Sequence, residues 1–393
     1  MRVELIPPSS VPIRQRASQL GVEAIRRPGL LFLKMLRAVP VIRRRVIPAL
    51  IKEELDGIPA AAAAEAITRE LERIQRTSVP LVIGPWVGEV GFELLYWIPF
   101  LNWALTEHGL EQRRLIVVSR GGARPWYRHL TSEYVDVFSL FSLEEYREAN
   151  EARWDLAGHQ KQYRVEQMDR DIVDRAKARL QLPEVELFHP SLMYRLLRFY
   201  WLEKAGRGLL SRHTEYRRLA TVERRAALKD LPDEYVAVRF YFRPSFPDTP
   251  ENRRFAADVI RSLSREMPVV LLNTRLQLDD HEDLNVDTGV YHVDHLMTLD
   301  QNLEVQTEII SHARAFVGTY GGLAYLAPFY GVPSMSFYST HAELLPAHLD
   351  VAWRLGRTMG GSVTAMQTGV GGLLGGLLGH DRGRRLTDDR SGG

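Results

Sequence analysis

The sequence has no cysteine among its 393 residues. That excludes disulfides, thiolate metal sites and a cysteine nucleophile, and it fits a cytoplasmic chain. Acidic residues are nearly missing from positions 1–52, where eleven Lys/Arg meet only Glu4 and Glu23, a net charge of +9. The other 341 positions carry 40 basic and 47 acidic residues, a net −7. By charge the body is no nucleic-acid binder, while the arm calls for an anionic partner. The arm's apolar stretch is interrupted by Lys34 and Arg37, so it is not a membrane span. The first fifteen residues also lack the apolar core and small-residue cleavage site of a secretory signal.

Several ligand signatures are absent as well. No Gly-Lys-Ser/Thr closes a Walker phosphate loop, and Trp86 follows Gly84-Pro85 where a nicotinamide fingerprint needs glycine. No pair of histidines has the His-x-x-x-His spacing of a zincin. The acidic run Asp279–Asp283 and His292-Val-Asp-His295 read as solvated loops, and Asp169-Arg-Asp171 falls within a helix. Neither a metal nor a resident cofactor is expected.

What is present is an α/β rhythm. The length predicts two domains, and 45% hydrophobic against 25% charged residues is the balance of a soluble globular chain. In the most informative stretch, Ala315 to Gly318 reads as a buried strand and Gly321-Gly322 as a turn. Leu323, Leu326, Ala327 and Tyr330 then recur at helical spacing, Gly331-Val-Pro333 is a stop, and the chain to Tyr338 is a second strand. Glycines at a helix start let backbone approach a ligand, and the bare N–H groups there favour phosphate. The competing reading is that they let the helix pack tightly.

The same unit occurs earlier. Val79 to Ile83 is a strand, Gly84 to Gly91 a glycine-rich turn holding Gly88, Glu89 and Gly91, and Phe92 to Trp103 an apolar helix. Trp86, Trp97 and Trp103 could stack on a sugar, although aromatics in so apolar a stretch suit a core. Strands follow at Arg114–Ser119, ending in Arg120-Gly-Gly122, and at Tyr134–Phe138. Residues 142–230 read as helices: Leu143–Trp154, Val165–Leu180, Leu192–Lys204 and Glu215–Lys229. A second α/β domain opens with the strand Glu234–Phe242, which carries Arg239 within it and Arg243 at its end. Asp248 or Thr249 caps the next helix, and the strand Pro268–Thr274 follows. Gln301 to His312 is a helix bearing Glu308, and His341 stands at the end of the last strand.

The Gly321-Gly322 turn, with its helix stopped by Gly-x-Pro, resembles the donor-binding segment of GT-B-type nucleotide-sugar enzymes. Heptosyltransferase-like patterns have an acidic residue and a His where this chain has Tyr320 and Tyr325. UDP-sugar 2-epimerases have paired Glu where it has Tyr325-Leu326. The strand ending at Arg243 is similar to that of fucosyltransferase-type enzymes, in which an Arg contacts the donor diphosphate. The resemblance implies two Rossmann-like domains facing across a cleft, with a helical N-terminal extension (1–76), an acceptor-side domain with a helical addition (77–230), a donor domain (231–358) and a glycine-rich flexible tail (359–393). It implies Glu89 as general base and Arg243 as catalytic partner to the leaving diphosphate. Arg239, Thr274, Glu308, Thr319, Tyr320, Gly321, Gly322 and His341 would contact the donor, and Gly88, Gly91 and Arg120 would line the acceptor side. The activity implied is metal-independent transfer of a sugar from a nucleotide donor to a glycan or lipid-linked acceptor in cell-surface assembly. A sugar-nucleotide epimerase and a non-catalytic glycan- or nucleotide-binding protein are the alternatives. Residues 26–52, a basic amphipathic stretch, would give peripheral contact with an anionic inner membrane face, or else pack on the body.

Overall fold

The computed structural model describes residues 59–157, 161–274, 276, 282–284, 289–341 and 344–369. The basic stretch 26–52, most of the acidic run 279–283 and residues 370–393 lie outside these. No helix among the described residues is long and apolar enough to cross a membrane.

The fold is α/β with two parallel sheets. The first has the order β3-β2-β1-β4, from β1 (Leu81–Ile83), β2 (Leu115–Ser119), β3 (Tyr134–Asp136) and β4 (Glu186–Phe188). Helix α1 (Ala60–Gln75) packs Ile67, Leu71 and Ile74 inward. Helix α2 begins at Val90–Phe92, passes through a π-helical turn, Glu93–Trp97, and continues as Ile98–Glu107. Helices α3 (Leu143–Ala157), α4 (Gln167–Arg179) and α5 (Ser191–Trp201) follow.

The second sheet has the order β12-β11-β10-β5-β7-β9. Its strands are β5 (Val236–Arg239), β7 (Val269–Leu271), β9 (Tyr291–His292), β10 (Ala315–Thr319), β11 (Ser334–Tyr338) and β12 (Val363–Gln367). A small antiparallel pair, β6 (Tyr241–Phe242) with β8 (Glu282–Asp283), stands apart. The helices here are α6 (Pro250–Glu266), α7 (Asn302–His312), the short α8 (Gly322–Leu326) and α9 (Pro346–Met359). Thr249 caps α6 by accepting from Asn252 N–H, with Pro250 in the first turn.

The inner strands β1, β2, β5, β7 and β10 are largely buried on both faces, as crossover helices require of parallel sheets. Leu81, Ile83, Leu115 and Val117 point into the largest apolar cluster, whereas Val82, Ile116 and Val118 point into a second on the opposite face. In the other sheet Ala237 and Phe316 join the large cluster, while Val236, Val238 and Val317 enter a third. The large cluster therefore runs through both halves, from Ile67 to Met359.

Three expectations are corrected here. The segment read as helical includes β4, which pairs in parallel with β1, Val82 opposite Leu187. Residues 215–225 are not helical, although their composition favours helix, because tertiary partners claim their polar groups. Glu215 N–H donates to Pro99 O at 2.8 Å and Leu219 N–H to Phe329 O at 3.0 Å. Tyr216 Oη donates to Leu95 O at 2.9 Å. The segment is thus a strap across both halves. Finally, β12 lies inside the span assigned to a flexible tail and pairs with β11, Ser336 opposite Ala365.

Candidate active site

The carboxyl ends of β1 and β2 meet those of β5 and β10, the edge where ligands gather in parallel sheets. Leu303 N–H on α7 donates to Gly121 O after β2 at 2.7 Å, and Trp126 Nε1 donates to Thr307 Oγ1 at 2.9 Å. Glu89 stands just before α2 in an extended conformation (φ −72°, ψ 141°), with its side chain exposed. Arg120 is buried and donates to Gly88 O at 3.0 Å, so two acceptor-side residues of the sequence reading do adjoin.

One turn into α2, Glu93 is fully buried on the π-helical segment. Its carboxylate accepts from Ser119 Oγ at 2.7 Å and Tyr127 Oη at 2.5 Å. Burial pushes its pKa up to about 7, opposed by those two hydrogen bonds and by the charge of Arg120. Glu93 is therefore a buried, internally bonded carboxyl, while Glu89 is exposed to solvent. Trp86 and Trp97 are core: both are fully buried, with ring centres 5.8 Å apart. Trp103 lines a groove of about 840 Å³ with His108, Arg212 and His213, away from the Glu89 turn.

In the second half, Arg243 and Gly321 come together as the sequence reading requires. A Cβ on Gly321 would stand 2.8 Å from Arg243 Nη1 and 3.0 Å from Tyr241 Oη, and its φ of +130° is open only to glycine. The expectation that the double glycine opens onto a gap is corrected. A Cβ on Gly322 would lie 3.2 Å from Val90 Cγ1, and one on Gly91 would lie 3.4 Å from the Tyr325 ring. The starts of α2 and α8 thus abut, and small residues serve close packing of backbone on backbone. Glu89 immediately precedes Val90 in the chain, as Gly321 immediately precedes Gly322.

The remaining expected donor residues divide. Thr319 is buried, and its hydroxyl donates to Tyr241 O at 2.9 Å, locking β10 to β6. Arg239 Nη1 donates to Gln306 Oε1 at 2.5 Å, which engages it with α7. Thr274 Oγ1 donates to Leu276 O at 3.4 Å in the loop after β7. His341 is exposed beyond β11, its ring 5.7 Å from Tyr338. Glu308 does not reach the corner: it is 1% exposed and held by Arg225 Nε at 2.6 Å and by Arg225 N–H. It anchors the strap rather than a ribose.

Sequence reasoning missed a group lying between the halves. His348 on α9 is buried, and its Nδ1 is 2.5 Å from Tyr96 Oη on α2. Burial foremost, then the charges of Lys161 and Arg243, push its pKa down to about 3. Lys161 Nζ lies 4.7 Å from the Phe92 ring centre and 5.3 Å from that of Trp201. The Phe92 ring is in turn 4.8 Å from the His348 ring. Burial lowers the Lys161 pKa, and the charge of Glu89 raises it. The only sequence signal was the Pro346 helix start before His348, and nothing distinguished Lys161 from any surface lysine. No group of three or more His, Asp or Glu placed to hold a metal occurs among the described residues.

Two parallel α/β halves joined at their strand carboxyl ends are the architecture expected of a GT-B-like chain. The solved structures similar to this one include Escherichia coli ADP-heptose LPS heptosyltransferase II, at 13% identity and TM-score 0.37 over 68% of this chain and 88% of that one. They also include a family 9 glycosyl transferase from Veillonella parvula, at 10% and 0.37 over 80% and 92%. E. coli heptosyltransferase WaaC with ADP is similar at 14% and 0.37 over 73% and 93%. No family model matches the chain, and no curated protein does.

Proposed function

We propose that the chain is a glycosyltransferase that moves a sugar from a nucleotide-diphosphate donor to a hydroxyl acceptor. The observation that carries this reading is the packing of Val90 and Gly91, which follow Glu89, against Gly322 and Tyr325, which follow the Gly321 that lies against Arg243. An acceptor hydroxyl beside Glu89 gives its proton to the carboxylate as its oxygen bonds to the anomeric carbon. The bond from that carbon to the diphosphate breaks, and the nucleoside diphosphate leaves with the electron pair. Arg243 neutralises the charge that develops there, a role that a metal ion fills in other transferases. His341 and Tyr338, at the end of β11, flank the same edge and suit the nucleoside or sugar. The basic stretch 26–52 supports an acceptor held at an anionic surface, such as a lipid-linked or cell-envelope glycan.

One observation favours a second reading, a non-catalytic nucleotide- or glycan-binding protein: the α2 and α8 starts are packed together at Gly322. Release of nucleoside diphosphate from UDP-, GDP-, ADP- and dTDP-sugars, with and without acceptor glycans, separates the two. The transferase reading expects turnover that Glu89→Ala lowers by about 10²–10⁴-fold while donor affinity is retained. Donor binding without turnover in the unaltered protein would establish the second reading instead.

A further inference from the structure

The groove of about 840 Å³ beside Trp103 is largely apolar and runs along the first turns of α1. Ala60, Ala61, Ala64 and Thr68 of α1 line it, with Leu209 of the short helix Arg207–Arg212. Residues 60–64 are all alanine, and Ala61 is exposed where a solvated helix face ordinarily carries charge. Side chains this small let a second helix approach closely. Gly206 and Gly208 also line the groove, although the backbone does not call for glycine at either. Gly206 has φ −77°, and Gly208 is not among the left-handed glycines. A Cβ on Gly206 would meet no described residue within 4 Å.

The sequence just before α1 supplies an occupant. Ile47, Leu50, Ile51, Leu55 and Ile58 recur at intervals of three and four, the period of an apolar helical stripe. Pro48 suits the first turn of a helix, and Asp56-Gly57 suits a reversal. As a helix, residues 48–55 would measure about 12 Å, which matches the α1 wall from Ala60 to Thr68. Only residues 56–59 separate that segment from α1, a connection of the length that joins antiparallel helices. Even fully extended, it leaves Leu55 within about 18 Å of Ala60. The charges also suit: Glu65, Glu107 and Arg212 line the groove, and the polar positions of the segment are Lys52, Glu53 and Glu54.

We propose that residues 47–58 of this chain fill the groove, antiparallel to α1, with Ile47, Ile51 and Leu55 facing Ala60, Ala64 and Thr68. The segment then belongs to the fold of the first half. Arg43, Arg44 and Arg45 are held at the end of the groove, and an anionic surface would meet them at a fixed place on the body. The inference does not depend on the activity proposed above.

Because the chain has no cysteine, paired cysteines test the arrangement without background. Ile51 would lie opposite Ala64, and Glu53 would point away. Under mild oxidation the full-length Ile51→Cys/Ala64→Cys variant should close an intramolecular disulfide at least about tenfold faster than Glu53→Cys/Ala64→Cys. Equal rates overturn the proposal. So does a bond formed only between chains, which would assign the groove to a second copy. Limited trypsin digestion decides the matter should a cysteine variant fail to fold. In the unaltered chain, cleavage after Arg45 should outrun cleavage after Lys52, and Leu50→Ser/Leu55→Ser should raise the latter about tenfold. Gly206→Leu, which crowds the groove and leaves the segment untouched, should raise it as well. Cleavage after Lys52 that is indifferent to both changes overturns the proposal. Protection of Lys52 only when anionic vesicles are present also overturns it, and would assign the segment to a lipid surface.

Discussion

Stability should fall as the pH rises from about 5 to 8, and Glu93 should account for much of the loss. Its carboxyl is 1% exposed, and its pKa is raised from 4.5 to about 7. The folded chain therefore binds more protons than the unfolded chain across that interval. The stabilisation linked to this group is full below pH 4.5 and is lost as the pH climbs through about 7. At about 1.4 kcal/mol per unit, the shift corresponds to about 3 kcal/mol. Asp136 adds a loss of the same sign at lower pH, since burial lifts it from 3.8 to about 6 against hydrogen bonds from Gly122 N–H, Phe138 N–H and Tyr134 Oη. The perturbation is Glu93→Gln, whose amide oxygen still accepts from Ser119 and Tyr127 but never ionises. Urea denaturation of both proteins at several pH values is the assay. The difference between them should change by about 3 kcal/mol in favour of the variant between pH 5 and pH 8, leaving the unaltered chain with the steeper decline. Parallel stability curves would refute the reasoning, as would an unaltered chain that gains stability over this range.

Two further outcomes follow from packing. Arg225→Ala leaves Glu308 buried with only a backbone donor. It should cost about 2–3 kcal/mol in denaturant unfolding, below the range for a fully buried pair because the Arg225 side chain is 28% exposed. Nucleotide affinity should be unchanged, since Glu308 serves the strap. Gly318→Ala would set a Cβ 2.0 Å from Arg239 O in the neighbouring strand, and it should cost about 3 kcal/mol or prevent folding, read by denaturation or by soluble yield.

Strands bounded by turn residues were legible in the sequence. β1, β2, β10 and β11 are short β-branched or aromatic runs that end in Gly, Ser or Thr, and α7 announced itself by its length. Arg243 was placed at the corner by its position at a strand end. The three residues of β4 were too few to stand out in a helical context, and the pairing of β12 depends on the crossover through α9. The strap was misread because local composition favours helix, while the bonds that hold it extended reach residues more than a hundred positions away, as from Arg218 to Tyr330 O. Gly321-Gly322 was ambiguous in a deeper sense: a glycine that admits a phosphate and one that admits a neighbouring backbone are written identically. His348 and Tyr96 are 252 positions apart, and no pattern joins them.

The strap has a bearing on any attempt to study the halves apart. Division at residue 230 would leave it attached to the first sheet, still carrying contacts made to Phe329, Tyr330 and Glu308 of the second. Each fragment would expose an apolar seam, so separate expression should yield aggregates rather than two tidy domains. In the intact chain the backbone passes from one side to the other within the few residues between Tyr216, fixed to the first half, and Leu219, fixed to the second.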